Sequence, residues 1–195
     1  MSSFSTLMKS LPPLAYEKGK AFEKVCKWFL ENDPVYKQIL STVWLWDEWP
    51  ERPGPDMGID LVAVGEDGSL WAIQCKCFEG GNNLRKKDVD SFFAASDVDT
   101  FKRRLMMSTT PGAGRNLQKY IDQDHRVPVI ECFLNTFEDS TVEWPCSYKD
   151  LTPQTVQKRS PRKHQQAAID AVCSGFRDGA DRGQLIMACG TGKTL

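Results

Sequence analysis

The chain has 195 residues, of which 41% are hydrophobic and 26% are charged, and its formal net charge at pH 7 is -1. This composition is typical of a soluble globular protein and excludes a disordered or a fibrous chain. The length suffices for one well-buried domain but not for that domain and a second large one, so we expect a unit that begins near the carboxyl end to be truncated.

Neither a membrane segment nor a secretory signal is visible in the sequence. No apolar run approaches the roughly 20 residues that a membrane-spanning helix needs, and residues 1–13 lack a basic start and an apolar core. Seven cysteines, an odd number without a secretory signal, favour reduced thiols over disulfides. Cys75 and Cys77 have no second pair, which argues against a structural zinc site. We therefore predict a cytoplasmic protein that does not bind membranes.

Apolar periodicity predicts alternating helices and strands over residues 1–138. A helix is predicted over 18–30 and a strand over 41–47. The apolar runs 59–64 and 70–77 are joined by the turn Glu66-Asp67-Gly68, so they predict a hairpin of two antiparallel strands. The pattern further predicts helices over 86–95 and 116–122 and buried strands over 104–108 and 127–133. The predicted class is α/β.

A second unit is predicted after residue 161. Residues 139–161 lose the periodicity and gather Thr, Pro, Ser, Lys and Arg, as expected of a linker between domains. Residues 162–176 have the apolar spacing of a helix, and residues 184–188 read as a strand. The predicted organisation is a domain over 1–138, a linker over 139–161 and the start of another domain over 162–195.

Asp60, Gln74 and Lys76 form the candidate catalytic group. Side chains alternate across a strand, so Gln74 and Lys76 share a face, and the hairpin can bring Asp60 against them. Phosphodiester hydrolysis needs a hard cation held by oxygen ligands, an activated water and positive charge beside the phosphate. Asp60 would hold the cation with the Gln74 side-chain oxygen or the Cys75 carbonyl, and Lys76 would orient the water or neutralise the phosphate. Glu23 could reach the same metal directly or through water.

Three segments carry a family resemblance: Gly19 to Glu23, Asp56 to Val62, and Ala72 to Lys76. Together they resemble the Mrr-like branch of the PD-(D/E)xK nuclease superfamily over residues 15–135. The resemblance implies a restriction-endonuclease-like α/β/α core with a mixed central sheet, and Mg²⁺ as the metal, for which Mn²⁺ can substitute. It also implies that Glu23 is the helix glutamate, Asp60 the central metal ligand, and Gln74 and Lys76 the second half-motif.

Two features of this sequence depart from the common form of that motif. Asp56 makes a literal Pro-Asp pair with Pro55, but only Asp60 leads into an apolar strand in register with the next strand, so we assign the metal to Asp60 and a supporting role to Asp56. Gln74 stands where most relatives have Asp or Glu, which removes a negative charge from the site. A catalytically inactive module and a set of ordinary structural residues stay open as alternatives.

The net charge does not indicate a nucleic-acid-binding protein, but local basic clusters do. Two clusters are predicted to contact DNA phosphates: Arg85, Lys86 and Lys87, and Lys102, Arg103 and Arg104. A third basic stretch runs from Lys158 to His164. Each cluster taken alone is equally consistent with a solvated helix face or a linker.

Residues 187–194, Met-Ala-Cys-Gly-Thr-Gly-Lys-Thr, follow a predicted strand, which is the setting of a phosphate-binding loop. Glycines there permit tight turns whose amides cradle phosphates, while the lysine reaches the outer phosphates and the threonine holds Mg²⁺. The string resembles motif I of superfamily two helicases, and Gln165 lies in a segment that resembles their adenine-contacting motif. The resemblance implies ATP as a ligand of the full-length protein. The residues assigned to ATP are Gln165, Gly190, Thr191, Gly192, Lys193 and Thr194.

The order of nuclease, linker and start of a RecA-like helicase domain resembles the single-chain type ISP restriction-modification enzymes. It implies a Mg²⁺-dependent endonuclease that cuts double-stranded DNA under the control of an ATP-driven translocase. It also implies that the remaining motor, methyltransferase and target-recognition regions lie in the same polypeptide. The alternatives are the motor subunit of a type I restriction system, another phage-defence nuclease-helicase, and a nuclease-like module that only grips DNA.

Overall fold

The computed structural model describes residues 2–55, 58–123, 125–152, 163–177, 179 and 182. It divides the chain into two compact units, Met1–Val156 and Gln157–Leu195. The α-helices are α1 (Phe4–Lys9), α2 (Ala15–Asn32), α3 (Tyr36–Ile39), α4 (Asp90–Ala95), α5 (Arg115–Ile121), α6 (Leu134–Asp139) and α7 (Lys163–Arg177). The strands are β1 (Leu40–Leu45), β2 (Leu61–Gly65), β3 (Leu70–Lys76), β4 (Phe101–Ser108) and β5 (Val129–Cys132). Short 3-10 helices cover Trp46–Glu48, Lys86–Asp88 and Tyr148–Asp150.

A mixed sheet organises the first unit, with its strands in the order β1-β2-β3-β4-β5. β1, β2 and β3 pair antiparallel, whereas β3, β4 and β5 pair parallel. The turn between β2 and β3 contains Gly68, whose φ of 77° lies in the left-handed region that favours glycine. The structure therefore confirms both the predicted hairpin and the predicted mixed α/β sheet.

Side chains of β3 alternate between two hydrophobic cores, one on each face of the sheet. Trp71, Ile73 and Cys75 lie in a core that also contains buried residues of α1, α2 and α6. Ala72 lies in the other core, with residues of α4 and α5. Helices thus cover both faces of the sheet, which confirms the predicted α/β/α layers. By the same alternation, Gln74 and Lys76 belong to the face that carries α4 and α5.

Several element bounds differ from the predicted ones. The predicted strand over 41–47 ends at Leu45, because a 3-10 turn begins at the next residue. The predicted helix over 86–95 divides into a 3-10 turn and α4. The predicted strand over 104–108 begins three residues earlier, because Phe101 is buried and pairs with Leu70 of β3. Helices α1 and α6 were not predicted at all.

The first unit extends past the predicted boundary at residue 138. Trp144 is buried and stacks on Phe29 of α2, with 5.4 Å between the ring centroids. Residue 144 also forms an isolated antiparallel bridge with Ser2. The Trp28 indole N–H donates to the Thr152 carbonyl across 2.7 Å. Residues 139–152 are therefore part of the first unit and not linker, because their apolar side chains complete its core.

In the second unit the structure describes α7, which agrees within a residue with the helix predicted over 162–176. The predicted strand over 184–188 and the phosphate-binding loop lie outside the described residues. Within the described ranges, no helix combines the length and the apolar character that crossing a bilayer requires.

Candidate active site

Asp60 lies immediately before β2, and its backbone is held from two sides. Its amide N–H donates to the Ile73 carbonyl of β3 across 2.9 Å, and its carbonyl accepts from the Trp46 amide across 2.8 Å. The residue is buried. Because both bonds link it to neighbouring segments of the sheet, the backbone of Asp60 has a fixed position relative to β3.

The Asp60 carboxylate contacts β3 directly. Its Oδ2 accepts a hydrogen bond from the Cys75 backbone amide, at 2.6 Å, and another from Nε2 of Gln74. A backbone N–H directed at a carboxylate favours the charged form and fixes its orientation. The sequence therefore predicted correctly that Asp60 and Gln74 would meet. The structure adds the Cys75 amide, a contact that side-chain alternation does not indicate.

Gln74 is buried, and its carbonyl oxygen Oε1 has no hydrogen-bond partner among the described residues. Leaving a buried acceptor unsatisfied costs about 1–3 kcal/mol. Such an atom in a folded protein commonly marks the place of a ligand or a water that completes its bonding. An amide oxygen is also a ligand that hard divalent cations accept. Gln74 Oε1 therefore fits the role of a metal ligand beside Asp60.

Lys76 is the last residue of β3 and is half-buried. Its carbonyl accepts from the Thr109 amide across 3.1 Å, which ties the end of β3 to the segment after β4. No hydrogen bond or ion pair joins its ammonium group to the residues that the structure describes. It lies two positions after Gln74, on the same face of the strand. Its ammonium group is therefore available to interact with an anion at the carboxyl end of β3.

Glu23 lies on α2, on the other face of the sheet from Gln74. Its side chain is largely buried and pairs with Lys20 across 3.0 Å. Burial raises the pKa of the Cys75 thiol well above its ordinary value, and the thiol of Cys26 and the carboxylates of Asp60 and Glu23 raise it further. The Cys75 side chain lies in the core on the α2 face, whereas Gln74 belongs to the other face of the sheet. The Cys75 sulfur therefore does not lie on the same side as Gln74, and only its carbonyl suits the predicted role.

The donors around Asp60 fit a hard cation that keeps part of its water shell. Within the described ranges, no three His, Cys, Asp or Glu side chains come together to hold a metal ion. A cation here would depend on Asp60 together with neutral oxygens of Gln74 and Cys75, and the participation of Glu23 stays a prediction. Such a mixed oxygen set suits Mg²⁺, which is usually held by one or two carboxylates and retains several waters. It does not suit a structural zinc site, which needs four closely placed nitrogen or sulfur ligands.

Gly58, which precedes Asp60 by two residues, has a backbone conformation and a close contact that favour glycine. It has a φ of 110°, a conformation that side chains with a Cβ rarely adopt. A Cβ there would also meet Ser91 Oγ at 2.8 Å and the Phe92 amide nitrogen at 3.1 Å. The glycine lets the chain pass close to α4 just before Asp60. The preceding Asp56 lies outside the described residues.

The basic cluster Arg85 to Lys87 lies around the 3-10 turn before α4. Arg85 pairs with Asp88, and Lys86 pairs with Asp90 while lying 4.8 Å from the centre of the Tyr120 ring. Lys87 is exposed. Two of the three cations are therefore partly neutralised by neighbouring carboxylates, and their contact with DNA stays a prediction.

The second predicted cluster contains one error. Arg104 is 1% exposed and donates to Ser96, to the carbonyls of Phe93 and Val127, and to Asp97. It is a buried structural cation, so the prediction that it contacts DNA is wrong. The reason is that Val127 and residues 93–97, at and after the end of α4, cover residue 104 and accept its hydrogen bonds. Lys102 is exposed, and Arg103 is half-buried against Asp67 and Ser69.

Of the residues assigned to ATP, the structure describes one. Gln165 lies on α7 and is half-buried. Gly190, Thr191, Gly192, Lys193 and Thr194 lie outside the described residues. Their assignment to ATP therefore stays a prediction.

Asp60, Gln74 and Lys76 thus lie at one end of the antiparallel strands β2 and β3, in a mixed sheet of restriction-endonuclease-like fold. The chain belongs to the restriction endonuclease family: residues 31–154 match a model of Mrr-type catalytic domains described as restriction endonuclease. That match includes Asp60, Gln74 and Lys76 but begins after Glu23. Residues 158–195 match the model of the type III restriction enzyme Res subunit.

Two solved structures resemble the chain. The ATP-dependent type ISP restriction-modification enzyme LlaBIII bound to DNA matches 99% of this chain with 30% identity and a TM-score of 0.63. This chain spans only 12% of the length of LlaBIII. The second is the MspJI restriction endonuclease in complex with a 27-mer oligonucleotide, with 19% identity and a TM-score of 0.41. The match covers 69% of this chain and 29% of the MspJI chain. No curated protein sequence matches the chain.

Proposed function

We propose that the first unit is a Mg²⁺-dependent endonuclease that hydrolyses phosphodiester bonds in double-stranded DNA. The observation that carries the proposal is the buried Asp60 carboxylate, which β3 holds through the Cys75 amide and Gln74. The family match and the DNA complex of the similar type ISP enzyme LlaBIII support DNA as the substrate. No other described part of the first unit combines an oriented carboxylate, an unsatisfied buried oxygen and a nearby lysine.

Each residue of the candidate site would have a separate role in this reaction. Asp60, Gln74 Oε1 and the Cys75 carbonyl would hold the cation, and Glu23 would reach it directly or through water. The bound cation would lower the pKa of a water and stabilise the charge that develops on the phosphate. Lys76 would contribute a second positive charge, oriented by the fixed end of β3. Hydrogen bonds from the Cys75 amide and from Gln74 Nε2 already orient the Asp60 carboxylate in the absence of a ligand. Cation binding would therefore need little reorganisation of this side chain.

We further propose that cutting depends on an ATP-driven translocase within the same polypeptide. The support is the match of residues 158–195 to a restriction enzyme Res subunit and the sequence Gly-Thr-Gly-Lys-Thr over residues 190–194. Methyltransferase and target-recognition regions would lie further along that polypeptide. They would give the nuclease a sequence specificity that its own residues do not supply, and the protein would act in the cytoplasm.

The test is cleavage of plasmid DNA by the full-length protein with ATP and either Mg²⁺ or Mn²⁺. We expect Asp60→Ala and Lys76→Ala to lower the cleavage rate by about 100-fold or more, because each removes a charge that acts in the transition state. Lys24→Ala is the matched control, since Lys24 is an exposed lysine of α2, and it should cut at the wild-type rate. Wild-type protein that binds DNA without cutting it under any of these conditions would instead support a module that only grips DNA.

A further inference from the structure

Phe78 differs from the other phenylalanines of the first unit, because it is 39% exposed whereas the others are buried. It follows Lys76 by two residues, just after the end of β3. Two Cα atoms at that separation are about 7 Å apart at most. Phe78 is therefore close in the chain to the proposed catalytic lysine, at the same end of β3. The buried phenylalanines are Phe4, Phe22, Phe29, Phe92, Phe93, Phe101, Phe133 and Phe137.

The backbone at Phe78 is fixed although its ring is exposed. Its amide N–H donates to Thr109 Oγ1 across 2.8 Å, and the same hydroxyl donates to its carbonyl across 2.9 Å. Thr109 in turn donates its own amide to Lys76. The next residue, Glu79, forms an ion pair with Lys18 of α2. One side chain from the end of β4 and one from α2 thus hold the segment that carries the ring.

Exposure of a single apolar side chain carries no meaning by itself, because folded proteins expose many. The exposure of Phe78 is relevant because this residue lies next to the candidate site. A DNA strand whose phosphate reached Lys76 would bring a neighbouring nucleotide within a few ångströms of the backbone at residue 78. The sugar and base of a nucleotide offer apolar surface, and aromatic side chains pack on such surface with useful affinity. Because the backbone of Phe78 is already held by Thr109, such a contact would not require the ordering of a flexible loop.

We propose that Phe78 packs against the sugar or base of a nucleotide next to the scissile phosphate and so positions the strand that is cut. This rests on the proposed function, since it places DNA at Asp60 and Lys76. Phe78 would be a positioning residue, because it contacts the substrate away from the reacting atoms. The contact would be apolar, in contrast to the phosphate contacts predicted for the basic clusters.

The first experiment measures DNA affinity of the full-length protein in an Asp60→Ala background, with Phe78 and with Phe78→Ala, over a series of salt concentrations. We expect the affinity to fall about five-fold to a hundred-fold, as loss of an aromatic packing contact typically costs. The slope of log affinity against log salt should stay unchanged, since no phosphate contact is lost. Phe78→Leu should recover part of the affinity, because it keeps an apolar side chain.

Val98→Ala is the matched control, because Val98 is an exposed apolar residue of the same unit at 43% exposure. It should leave affinity unchanged, and thermal unfolding of Phe78→Ala should match that of its parent. Equal DNA affinity and equal cleavage rates with and without the Phe78 ring would overturn the inference while leaving the proposed function intact. A wild-type protein that cuts no DNA would overturn the proposed function, whereas the affinity comparison would still report the Phe78 contact.

Discussion

The two polar atoms of the Gln74 side chain have different environments in the candidate site. Its Nε2 donates to Asp60, and its buried Oε1 faces no partner among the described residues. A glutamate in its place would lose the donor and add a second negative charge. Two unit charges about 4 Å apart repel by about 4 kcal/mol at an effective dielectric constant of about 20. The glutamine therefore stabilises the metal-free site, at a cost in cation affinity.

The variant Gln74→Glu tests this balance. Without divalent ions we expect its free energy of unfolding to fall by about 2–4 kcal/mol. The reason is that the carboxyl groups at residues 60 and 74 must either repel each other or have one of the two protonated. Added Mg²⁺ or Mn²⁺ should stabilise the variant more than wild type, and chemical denaturation with and without metal measures both effects. Gln118→Glu is a matched control, since Gln118 also donates to an aspartate, Asp122, but at an exposed site. Equal metal stabilisation of Gln74→Glu and wild type would contradict the assignment of Gln74 to the metal.

The hairpin between β2 and β3 shows how one element is held by polar contacts at its turn. Asp67 Oδ1 accepts from the Ser69 amide at 3.0 Å and from the Ser69 hydroxyl. Arg103 of β4 pairs with Asp67 at 3.1 Å and lies 5.3 Å from the centre of the Trp71 ring. A Cβ on Gly65 would meet Asp67 Oδ1 at 2.5 Å and Ser69 Oγ at 2.9 Å, so a larger residue there would displace the side chains of this network. The turn that fixes the register of β2 against β3 is thus linked to β4.

The pH dependence of this network provides a second prediction. Hydrogen bonds from Ser69 and the guanidinium of Arg103 lower the pKa of Asp67 from 3.8 to about 2. Because the folded-state pKa lies below the unfolded one, the stabilisation is present above about pH 4 and is lost as the pH falls toward 2. We expect Asp67→Asn to unfold at a lower temperature than wild type at pH 6, with the difference shrinking as the pH approaches 2.

Glu51→Gln is the control for that titration, because Glu51 is also an exposed carboxylate but has no contact with the turn. Its unfolding temperature should follow that of wild type at each pH. A difference between Asp67→Asn and wild type that stayed constant from pH 6 to pH 2 would contradict the role of the ionised carboxylate.

Elements with strong local patterns were predictable from the sequence, whereas contacts between distant elements were not. Alternation and turn chemistry sufficed for the β2–β3 hairpin and for the meeting of Asp60 with Gln74. Arg104 was misassigned because its charge suggests solvent, while its partners, the carbonyls of Phe93 and Val127, become close only after folding. Thr109 has no local signal, since its bonds to the backbone of Phe78 depend on the parallel pairing of β3 with β4.

At the scale of the whole molecule, segments from both ends of the first unit complete one of its hydrophobic cores. Residues of α1 and the segment 139–152 pack on the same core, where Trp144 contacts Phe4, Phe29 and Phe137. The sequence of this segment looks like linker because Thr, Pro, Ser and charged residues separate its apolar residues. Its two buried residues, Val142 and Trp144, alternate with exposed ones over only four positions, which is too short a run for periodicity to distinguish from a loop.

The variant Trp144→Ala tests whether this segment belongs to the folded unit. Truncating a large buried aromatic side chain typically costs about 3–5 kcal/mol, so we expect a loss of that size in the free energy of unfolding of the first unit, measured by urea denaturation. Tyr16→Ala is the control, because Tyr16 is an aromatic residue at 78% exposure and its truncation should change stability by less than about 0.5 kcal/mol. If residues 139–152 were a linker, Trp144→Ala would unfold at the same urea concentration as the Tyr16 variant. A large loss would instead mean that a stable nuclease fragment must include Trp144.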